Sequence, residues 1–549
     1  MQSLTELSAV CSVSTQPYSD QKPGTSGLRK KVRVFQQPHY LENFVQSVFN
    51  VVSDRSLLVV GGDGRYFNAE ATQIIVRMAA ANGFKRLLVG QHGILSTPAV
   101  SHLIRKYGAV GGLVLSASHN PAGPDEDFGI KFNNASGSPA PESITQAIFE
   151  QTKAITQYST LESPDIDLSL AASHQLGATE VQVIDSVSDY LELMQTLFNF
   201  DRLREGFSSG LLSLCFDAMH AVTGPYAKAV FEDSLGAKSG SVINAEPKDD
   251  FGGGHPDPNL VHAKTLINLM AKEGAPVLGA ASDGDGDRNI ILGNNFFVSP
   301  SDSLALIALH AALIPQFKSG LKGVARSMPT STALDRVAKH LGLNCYETPT
   351  GWKFFGNLLD QNLLSLCGEE SFGTSGDHVR EKDGVWAVLC WLTLILETGK
   401  TPQVLVESMW EKFGRSYYCR HDFEGVEANR ANELMAALEE RLPSLPGQNF
   451  EGFKVVSADS FSYSDITDGS ITPNQGYRII MGCGSRAIFR LSGTGTDSAI
   501  LRVYLEKVAI KGEFNLLETD SATALLLKVA MEIAEIEQYT GMNKATVVT

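Results

Sequence analysis

Residues 111–121 read Gly-Gly-Leu-Val-Leu-Ser-Ala-Ser-His-Asn-Pro, an apolar run followed by a polar turn. The apolar run predicts a buried strand that ends in a tight turn. Regular structure should stop at Pro121, because proline fixes its own φ and disfavours helical geometry at Asn120. Ser118 would then lie at the end of the strand beside His119, a common arrangement for a nucleophile. A simple Ser/Asn turn is the alternative, because so short a motif is weak evidence alone.

The segments before this stretch alternate between strand and helix patterns. Predicted strands lie at Leu57–Val60 and Lys85–Val89, ahead of Gly112–Leu115, and predicted helices lie at Ala69–Asn82 and Ala99–Tyr107. This alternation is typical of a parallel sheet covered by helices. The turn after the first strand, Gly61-Gly62-Asp63-Gly64, lacks the third glycine of a dinucleotide-binding fingerprint, so we expect no Rossmann cofactor.

Two further rounds of the same pattern follow. The second has predicted strands at Leu211–Phe216 and Pro276–Ala281 and a helix at Val222–Phe231. The third begins near Leu304 and has predicted strands at Gly323–Ser327, Asn344–Glu347 and Leu363–Cys367. In each round, a predicted strand is followed by a polar loop that contains glycine. Since ligands of open α/β sheets bind at the carboxyl ends of strands, we expect these loops to face one cleft.

The last part of the chain has a different character. We interpret the segment Glu397–Gly414, with a helix start at Thr401-Pro402, as a linker. A charged helix at Ala428–Leu442, short strands and an amphipathic helix from Ser521 to about Tyr539 follow it. The predicted fold class is therefore α/β, with three similar α/β domains around a central cleft plus a C-terminal α+β domain. The expected domain boundaries are 1–190, 191–303, 304–400 and 415–549.

The composition excludes several classes of protein. With 61 acidic and 45 basic residues the formal net charge is -16, which argues against a general nucleic-acid or membrane-surface role. The seven cysteines include no Cys-x-x-Cys pair, so we expect neither a disulfide framework nor a zinc site. The longest apolar run, Val385–Leu396, is too short to span a bilayer and predicts a buried helix. We expect a monomeric cytoplasmic protein without nucleic-acid partners or membrane insertion, in which residues 1–20 are loosely held.

Three aspartates alternate with glycines in the loop Asp283-Gly284-Asp285-Gly286-Asp287-Arg288. Alternate side chains of an extended loop point the same way, so the three carboxylates can converge on one cation. Carboxylate oxygens suit Mg²⁺. An EF-hand is excluded, because Arg288 stands where that motif needs glycine and Asn294 where it needs glutamate. The loop therefore predicts a site for one Mg²⁺ ion.

Two glycine-rich loops offer groups that suit anions. Ser492-Gly493-Thr494-Gly495 presents hydroxyls and backbone amides between Arg490 and Arg502, a set that suits a phosphate dianion. It is not a P-loop, because no Gly-Lys-Ser/Thr follows at the required spacing, and a glycine-rich hairpin is the alternative. Residues 24–27, Gly-Thr-Ser-Gly, followed by Arg29, form a second candidate, with a solvated turn as the alternative.

Glu369 and Ser371 follow the last predicted strand of the third round. They are two residues apart and so share a face, on which an acceptor and a hydroxyl can hold vicinal sugar hydroxyls. Lys382 and Asp383 lie in the loop that follows. A surface loop with charge pairs is the alternative interpretation.

In combination, these motifs resemble those of the α-D-phosphohexomutases, and within that superfamily those of the eukaryotic-type phosphoglucomutases. The resemblance runs nearly end to end and implies a fold of four domains in a heart-like arrangement. It rests on the stretches Lys22–Arg29, Ser118–Pro121, Asp127–Asn133, Asp283–Arg288, Pro349–Lys353, Gly368–Gly373 and Thr546–Thr549.

The resemblance implies a role for each matching residue. Ser118 would carry the phosphoryl group, and its phosphoserine oxygen would join Asp283, Asp285 and Asp287 as a ligand of Mg²⁺. Other catalytic positions would be Arg288, Lys382, His119 and Lys131, of which the last two are both candidate bases.

The resemblance also implies the groups that bind the substrate. The sugar hydroxyls would be held by Glu369 and Ser371 with help from Thr350. The phosphate that is not reacting would be held by Ser492, Gly493, Thr494 and Arg502, with Arg490 beside them, and Arg29 would contribute to the active site.

The implied activity is that of a phosphoglucomutase, an intramolecular phosphotransferase of the isomerase class. It interconverts glucose 1-phosphate and glucose 6-phosphate through a phosphoserine enzyme and glucose 1,6-bisphosphate, which is both intermediate and activator. A phosphomannomutase-like preference and a catalytically weak, phosphorylation-responsive scaffold like parafusin are the alternatives. The retained serine, aspartates and sugar-binding pair favour an enzyme.

Three positions depart from the family pattern. Ala122 stands where the family usually has glycine, and residues 374–377 read Thr-Ser-Gly-Asp in place of the more usual Thr-Gly-Ser-Asp. Thr496-Asp497-Ser498 replaces a smaller Ser-Ala-Gly run. The last change puts a carboxylate near the predicted phosphate loop, where it would weaken phosphate binding.

Overall fold

The structure is a computed structural model that describes residues 9–24, 26–467, 469–493, 498–509 and 517–549. It divides into two compact units. The first contains residues 1–300, 310–322 and 351–403, and the second contains residues 301–309, 323–350 and 404–549.

A seven-stranded mixed sheet forms the first part of the chain, in the order β2-β6-β5-β3-β4-β9-β8. The strands of this part are β1 (Val10–Ser14), β2 (Leu28–Lys31), β3 (Leu57–Gly62), β4 (Arg86–Ile94), β5 (Gly111–Leu115), β6 (Asp127–Asn134), β7 (Gln157–Leu161), β8 (Ser173–Leu176) and β9 (Thr179–Ile184). Its helices are α1 (Val32–Phe35), α2 (Tyr40–Val51), α3 (Asn68–Ala81), α4 (Thr97–Tyr107) and α5 (Glu142–Ala154).

The centre of this sheet is parallel, as the sequence predicts. Strand β3 pairs in parallel with both β4 and β5 and is buried along its whole length. Leu58 and Val60 pack into one hydrophobic cluster, and Leu57 and Val59 pack into another. Both faces of the sheet are therefore covered, which explains why the strand is continuously apolar.

The expectation that residues 1–20 are loosely held is wrong for Val10–Ser14. These residues form β1, which pairs antiparallel with β7. Their exposure alternates along the strand, and the sequence offers no strong apolar signal because only one face packs against the protein.

A second sheet of five strands follows, in the order β11-β10-β12-β13-β14. The strands are β10 (Leu214–Asp217), β11 (Val242–Ile243), β12 (Leu278–Ser282), β13 (Asn289–Gly293) and β14 (Phe296–Val298). The helices are α6 (Ser188–Leu197), α7 (Phe200–Ser208), α8 (Thr223–Ala227) and α9 (Lys264–Met270), and α8 continues as a π-helix over Lys228–Ser234. Strand β10 pairs in parallel with β11 and β12.

The third part of the chain is shared between the two units. Its elements are α10 (Pro300–Leu309), β15 (Val324–Ser327), α11 (Ala333–Leu341), β16 (Cys345–Thr348), α12 (Trp352–Asp360), β17 (Leu366–Glu369), β18 (Gly373–Gly376), α13 (Gly384–Thr398) and α14 (Pro402–Phe413). Strands β15 and β16 are parallel, whereas β17 and β18 form an antiparallel hairpin.

The apolar run predicted as a buried helix is α13, which is buried from Gly384 to Leu396. The Asp383 carboxylate caps its start by accepting a hydrogen bond from the Trp386 amide at 3.1 Å, and Gly399 ends it with a φ of 64°. In the described part of the chain, no helix is both long and apolar enough to cross a membrane. The interpretation of Glu397–Gly414 as a linker is wrong, because α14 occupies most of it and buries Leu405 and Val406.

The last part is an antiparallel sheet with helices, in the strand order β20-β21-β24-β25-β26-β19-β27. The strands are β19 (Arg415–Glu427), β20 (Asn449–Phe450), β21 (Phe453–Ser460), β22 (Tyr463–Ser464), β23 (Ile471–Thr472), β24 (Tyr477–Met481), β25 (Arg486–Gly493), β26 (Ser498–Ala509) and β27 (Val547–Val548). The helices are α15 (Ala428–Arg441), α16 (Thr519–Ile533) and α17 (Ile536–Thr540). The predicted single helix from Ser521 to Tyr539 is interrupted, because Glu535 adopts a left-handed φ of 50° between α16 and α17.

Candidate active site

Ser118 lies three residues beyond the end of β5 and is held in an unusual backbone conformation. Its φ is 52°, in the left-handed region that costs a residue other than glycine about 1–3 kcal/mol. Its amide donates to Ser116 Oγ at 2.7 Å, and its hydroxyl donates to Asp283 Oδ2 at 2.9 Å. The side chain is buried. The strand therefore presents the hydroxyl to the aspartate loop at a fixed position.

The backbone carbonyl of Ser118 is held by a buried ion pair. Arg65 Nη2 donates to this carbonyl at 2.7 Å, while Arg65 Nε donates to Asp63 at 2.9 Å. Both charged side chains are fully buried. This pair was not predicted from the sequence, although Asp63 and Arg65 lie in the glycine-rich turn after the first strand of the parallel sheet, where functional side chains are common.

The three aspartates of the predicted metal loop converge. Asp283, Asp285 and Asp287 are all buried and each offers a carboxylate oxygen within 4.8 Å of the others. Gly284 allows this loop to approach the serine, because a Cβ there would lie 2.4 Å from the Ser118 carbonyl oxygen. In the described part of the chain, Oδ1 of Asp285 and Oδ1 of Asp287 have no hydrogen-bond partner. Buried carboxylate oxygens without donors fit a bound divalent cation.

The charged groups around the aspartates shift one another's pKa values. Burial, followed by repulsion from Asp287 and Asp285, raises the pKa of Asp283 well above its usual value. Burial also opposes ionisation of Asp285, but Lys131, the Thr97 hydroxyl and other neighbours hold its pKa at about 2. A cation among the carboxylates would relieve the repulsion that raises the pKa of Asp283.

The two candidate bases, His119 and Lys131, have different partners. His119 Nδ1 is 3.4 Å from Ser118 Oγ. Burial and the neighbouring Arg288 and Arg29 lower the pKa of His119 well below its usual value, so the imidazole is neutral near pH 7. Lys131 Nζ donates to Glu381 Oε1 at 2.9 Å in a buried ion pair. A neutral imidazole can accept a proton, whereas a paired ammonium can only donate one.

The other cationic side chains predicted for the site lie close to the aspartates. Lys382 Nζ lies 2.9 Å from Asp287 Oδ2, and although burial opposes its charge, Asp287 and Glu369 raise the pKa of this lysine. Arg288 lies 3.5 Å from Asp257 and 3.9 Å from Asp283. Burial lowers the pKa of Arg29, an effect opposed by Asp285. These contacts bring positively and negatively charged side chains together in a buried cluster of the first unit.

Glu369 and Ser371 lie at the turn of the β17–β18 hairpin. Glu369 Oε1 accepts a hydrogen bond from the Gly351 amide at 3.0 Å, and burial raises the pKa of this carboxyl. Ser371 is half-buried. The hairpin is anchored to the metal loop, since the Asn289 amide donates to the Phe372 carbonyl at 2.9 Å. Gly373 leaves room for Lys382, because a Cβ at this glycine would lie 2.2 Å from Cδ of the lysine.

The remaining predicted residues belong to the second unit. Ser492 and Gly493 end β25, and Arg490 of the same strand is directly opposite Arg502 of β26. Arg490 Nε donates to the Gln475 carbonyl at 3.1 Å. Thr350 follows β16, and its Oγ1 is buried without a hydrogen-bond partner in the described part of the chain. Thr494, like Gly495, Thr496 and Asp497, lies outside the described residues.

Comparison with known proteins identifies the family. Profiles of phosphoglucomutase/phosphomannomutase α/β/α domains I, II and III match residues 20–159, 188–295 and 300–413, and a profile of the phosphoglucomutase-1 C-terminal domain matches residues 415–546. The chain therefore belongs to the phosphoglucomutase/phosphomannomutase family, with three α/β domains and a distinct C-terminal domain.

The chain is also similar to individual phosphoglucomutases over nearly its whole length. The chain is 54% identical to a phosphoglucomutase of Rhizobium radiobacter over 98% of this chain and 99% of the relative. It is 50% identical to the cytoplasmic phosphoglucomutase of Populus tremula over 98% and 99%, and chloroplastic relatives reach similar identity. The open form of Paramecium parafusin, described as a phosphoglucomutase, aligns with a TM-score of 0.91 at 48% identity over 98% and 99% of the two chains.

Proposed function

We propose that this protein is a phosphoglucomutase that interconverts glucose 1-phosphate and glucose 6-phosphate. About 50% identity to phosphoglucomutases over nearly the whole chain supports this function. The observation that carries the mechanism is the hydrogen bond from Ser118 Oγ to Asp283, within a group of three buried aspartates. Phosphoryl transfer needs alignment and charge neutralisation, and this arrangement supplies a fixed oxygen among charged groups.

In the proposed mechanism, Ser118 carries the phosphoryl group. The bond from its Oγ to phosphorus breaks as a hydroxyl oxygen of the hexose phosphate bonds to phosphorus. The sugar hydroxyl gives up its proton, and Ser118 Oγ takes one up. The product is glucose 1,6-bisphosphate. After the bisphosphate has reversed its orientation, Ser118 Oγ bonds to the phosphorus of the other phosphoryl group and gives up its proton, and the released sugar oxygen takes up a proton. No net proton or phosphate is gained or lost in the complete cycle.

We assign the proton transfers to His119 and Lys131. The neutral imidazole of His119, 3.4 Å from Ser118 Oγ, suits a base for the serine proton. Lys131, paired with Glu381, suits the donation of a proton to an oxygen of the sugar. Arg29, Arg288 and Lys382 neutralise the charge of the transferred group.

Asp283, Asp285 and Asp287, with an oxygen of phosphorylated Ser118, would hold one Mg²⁺ ion. When bound, this ion stabilises negative charge on the phosphoryl oxygens. Glu369, Ser371 and Thr350 would hold sugar hydroxyls. The phosphate that is not reacting would be bound by Arg490, Ser492, Gly493, Thr494 and Arg502.

We also propose domain boundaries at 1–190, 191–303, 304–400 and 415–549, with α14 between the last two ranges belonging to the third domain. A cytoplasmic location and a monomeric state are proposed as well. Residues 20–159, 188–295, 300–413 and 415–546, which match separate family profiles, support four domains. The cytoplasmic relative supports the location, although relatives of similar identity are chloroplastic.

A coupled assay tests the proposed function. Purified protein with Mg²⁺ and catalytic glucose 1,6-bisphosphate should convert glucose 1-phosphate to glucose 6-phosphate, which glucose-6-phosphate dehydrogenase then reports. Mannose 1-phosphate, assayed separately with an appropriate coupling system, should give a lower kcat/KM. A preference for mannose 1-phosphate would favour a phosphomannomutase, and no turnover of either substrate would favour the scaffold.

A further inference from the structure

Arg502 faces a buried carboxylate on the neighbouring strand. Asp422 of β19 is directly opposite Arg502 of β26, which in turn is directly opposite Arg490 of β25. Side chains directly opposite one another in antiparallel strands share a face of the sheet. The Asp422 side chain is only 6% exposed, whereas the Arg502 side chain is 30% exposed. Arg502 can therefore contact a ligand from solvent while the carboxylate beside it stays buried.

Asp422 lies between two guanidinium groups. Its Oδ2 is 3.8 Å from Arg502 Nε, and its Oδ1 is 3.0 Å from Arg420 Nε. Both contacts are ion pairs without the geometry of a hydrogen bond, so within the described part of the chain Asp422 Oδ1 and Arg502 Nε make no hydrogen bond. A buried carboxylate is costly unless cations compensate for its charge. The carboxylate therefore draws both guanidinium groups toward itself.

The backbone at Asp422 is fixed on its outer side as well. Its carbonyl accepts hydrogen bonds from the amide and the hydroxyl of Thr546, at 2.9 and 2.8 Å. Arg420 and Thr549 exchange two backbone hydrogen bonds, at 2.7 and 3.0 Å. Strand β19 is therefore paired on both sides at this point, and the carboxylate has little freedom to move.

We infer that Asp422 is a positioning residue for Arg502, keeping its guanidinium beside the carboxylate and available to the phosphate of a hexose phosphate. The inference rests on the proposed function, in which Arg502 binds the phosphate that is not reacting. The Asp422 contact involves Nε, and a guanidinium group has five N–H donors, so other donors remain for phosphate oxygens. Without the attraction of the carboxylate, the guanidinium would sample more positions, and phosphate binding would have to restrict them at each binding event. That cost corresponds to a roughly two- to tenfold loss of affinity.

The test compares four full-length proteins: wild type, Asp422→Asn, Arg502→Ala and the double variant. KM and kcat for glucose 1-phosphate are measured with saturating glucose 1,6-bisphosphate, and the Kd of that bisphosphate is measured by calorimetry. Asp422→Asn should raise KM and Kd roughly two- to tenfold and change kcat less than about twofold. In the Arg502→Ala background the same substitution should have almost no further effect, because it acts through the arginine.

Asp459→Asn is the matched control. Asp459 is ion-paired with Arg478 at 2.7 Å on the same sheet, away from Arg502, so its loss should leave KM and Kd unchanged. If Asp422→Asn does not fold, Asp422→Glu replaces it, since this variant keeps the charge but displaces the carboxylate by one methylene and should also raise KM.

Unchanged KM and Kd in a folded Asp422 variant would overturn the inference, as would a full additional effect in the Arg502→Ala background. Wild-type protein that binds the bisphosphate but does not turn over glucose 1-phosphate would instead contradict the proposed function. In that case, the four Kd values still test the positioning role by themselves.

Discussion

Ser118 Oγ lies 2.9 Å from Asp283 Oδ2, although 165 residues separate the two along the chain. The serine follows a strand of the first sheet, and the aspartate follows a strand of the second. The packing of two α/β domains therefore assembles the candidate nucleophile and the candidate metal ligand. Each of these groups should be indispensable for a different reason, which separate substitutions can distinguish.

Ser118→Ala should abolish turnover while preserving substrate binding. The variant lacks the oxygen that carries the phosphoryl group, so kcat should fall roughly 10⁴-fold or more while the Kd of glucose 6-phosphate changes little. Phosphopeptide mapping of the wild type should find the phosphate on this residue. Ser444→Ala, which removes the hydroxyl that donates to the Arg441 carbonyl, is the control and should keep full activity. Phosphate on a different residue would refute the assignment.

The predicted parts of the site are those that a short stretch of sequence determines by itself. The three aspartates recur every second residue, so their convergence on one cation follows from one loop. The alternation of strands and helices likewise predicts the parallel sheet, because each element leaves its own periodic signal.

The parts that sequence analysis missed depend on distant partners. Arg65 reaches the Ser118 carbonyl across 53 residues, and Lys131 reaches Glu381 across 250. Neither partner carries a local pattern that indicates the contact. The break at Glu535 was missed for a similar reason, since no glycine or proline marks it and it has a left-handed φ of 50°.

Removing one carboxylate of the metal loop should weaken Mg²⁺ binding sharply. Asp285→Asn leaves the site with two charged aspartates, so the Mg²⁺ concentration that gives half-maximal activity should rise at least about tenfold. Chelation of the wild type should abolish activity, and added Mg²⁺ should restore it. Asp201→Asn changes an exposed carboxylate and should leave the Mg²⁺ requirement unaltered. Full activity in excess chelator, once retained metal has been excluded by elemental analysis, would contradict the predicted site.

Arg65→Lys should slow the chemical step without weakening binding. A lysine keeps the buried positive charge beside Asp63 but cannot reach both that carboxylate and the Ser118 carbonyl with a planar fork. The serine should then lose its fixed orientation, and kcat should fall roughly 10–100-fold with KM nearly constant. Arg77→Lys, at a more exposed pair with Asp165, is the control. If Arg65→Lys and Arg77→Lys have the same kcat, Arg65 contributes to stability alone. The melting temperatures of the two variants would show that contribution.

Glu369→Gln should impair both directions of the reaction. If Glu369 binds hydroxyls that are present in both orientations of the bisphosphate, neither half-reaction can avoid it. A hydrogen bond from a neutral donor to a charged acceptor contributes about 1.5–3 kcal/mol, so each half-reaction should slow roughly 10–100-fold. Single-turnover measurements from glucose 1-phosphate and from glucose 6-phosphate provide the comparison, with Glu451→Gln at a more exposed position as the control. Impairment of one direction alone would argue against a shared sugar site.

Arg502→Ala should let the bisphosphate escape from the enzyme. The bisphosphate must reverse its orientation without leaving the enzyme. A group that binds its non-reacting phosphate has to retain the bisphosphate while it does so. A guanidinium–phosphate contact is charge-assisted and contributes about 1.5–3 kcal/mol, so dissociation should accelerate roughly tenfold to a hundredfold.

Each escape leaves Ser118 without phosphate, and the variant should then stop until glucose 1,6-bisphosphate is added. The measurement is activity against added bisphosphate for wild type and variant, with free bisphosphate followed over time. Arg441→Ala, in which a half-exposed arginine paired with Glu535 is removed, is the control and should show the wild-type requirement. An Arg502→Ala protein that binds glucose 1-phosphate more weakly, yet neither releases bisphosphate nor needs more of it, would show that Arg502 only docks the substrate. The proposed role in retaining the intermediate would then be wrong.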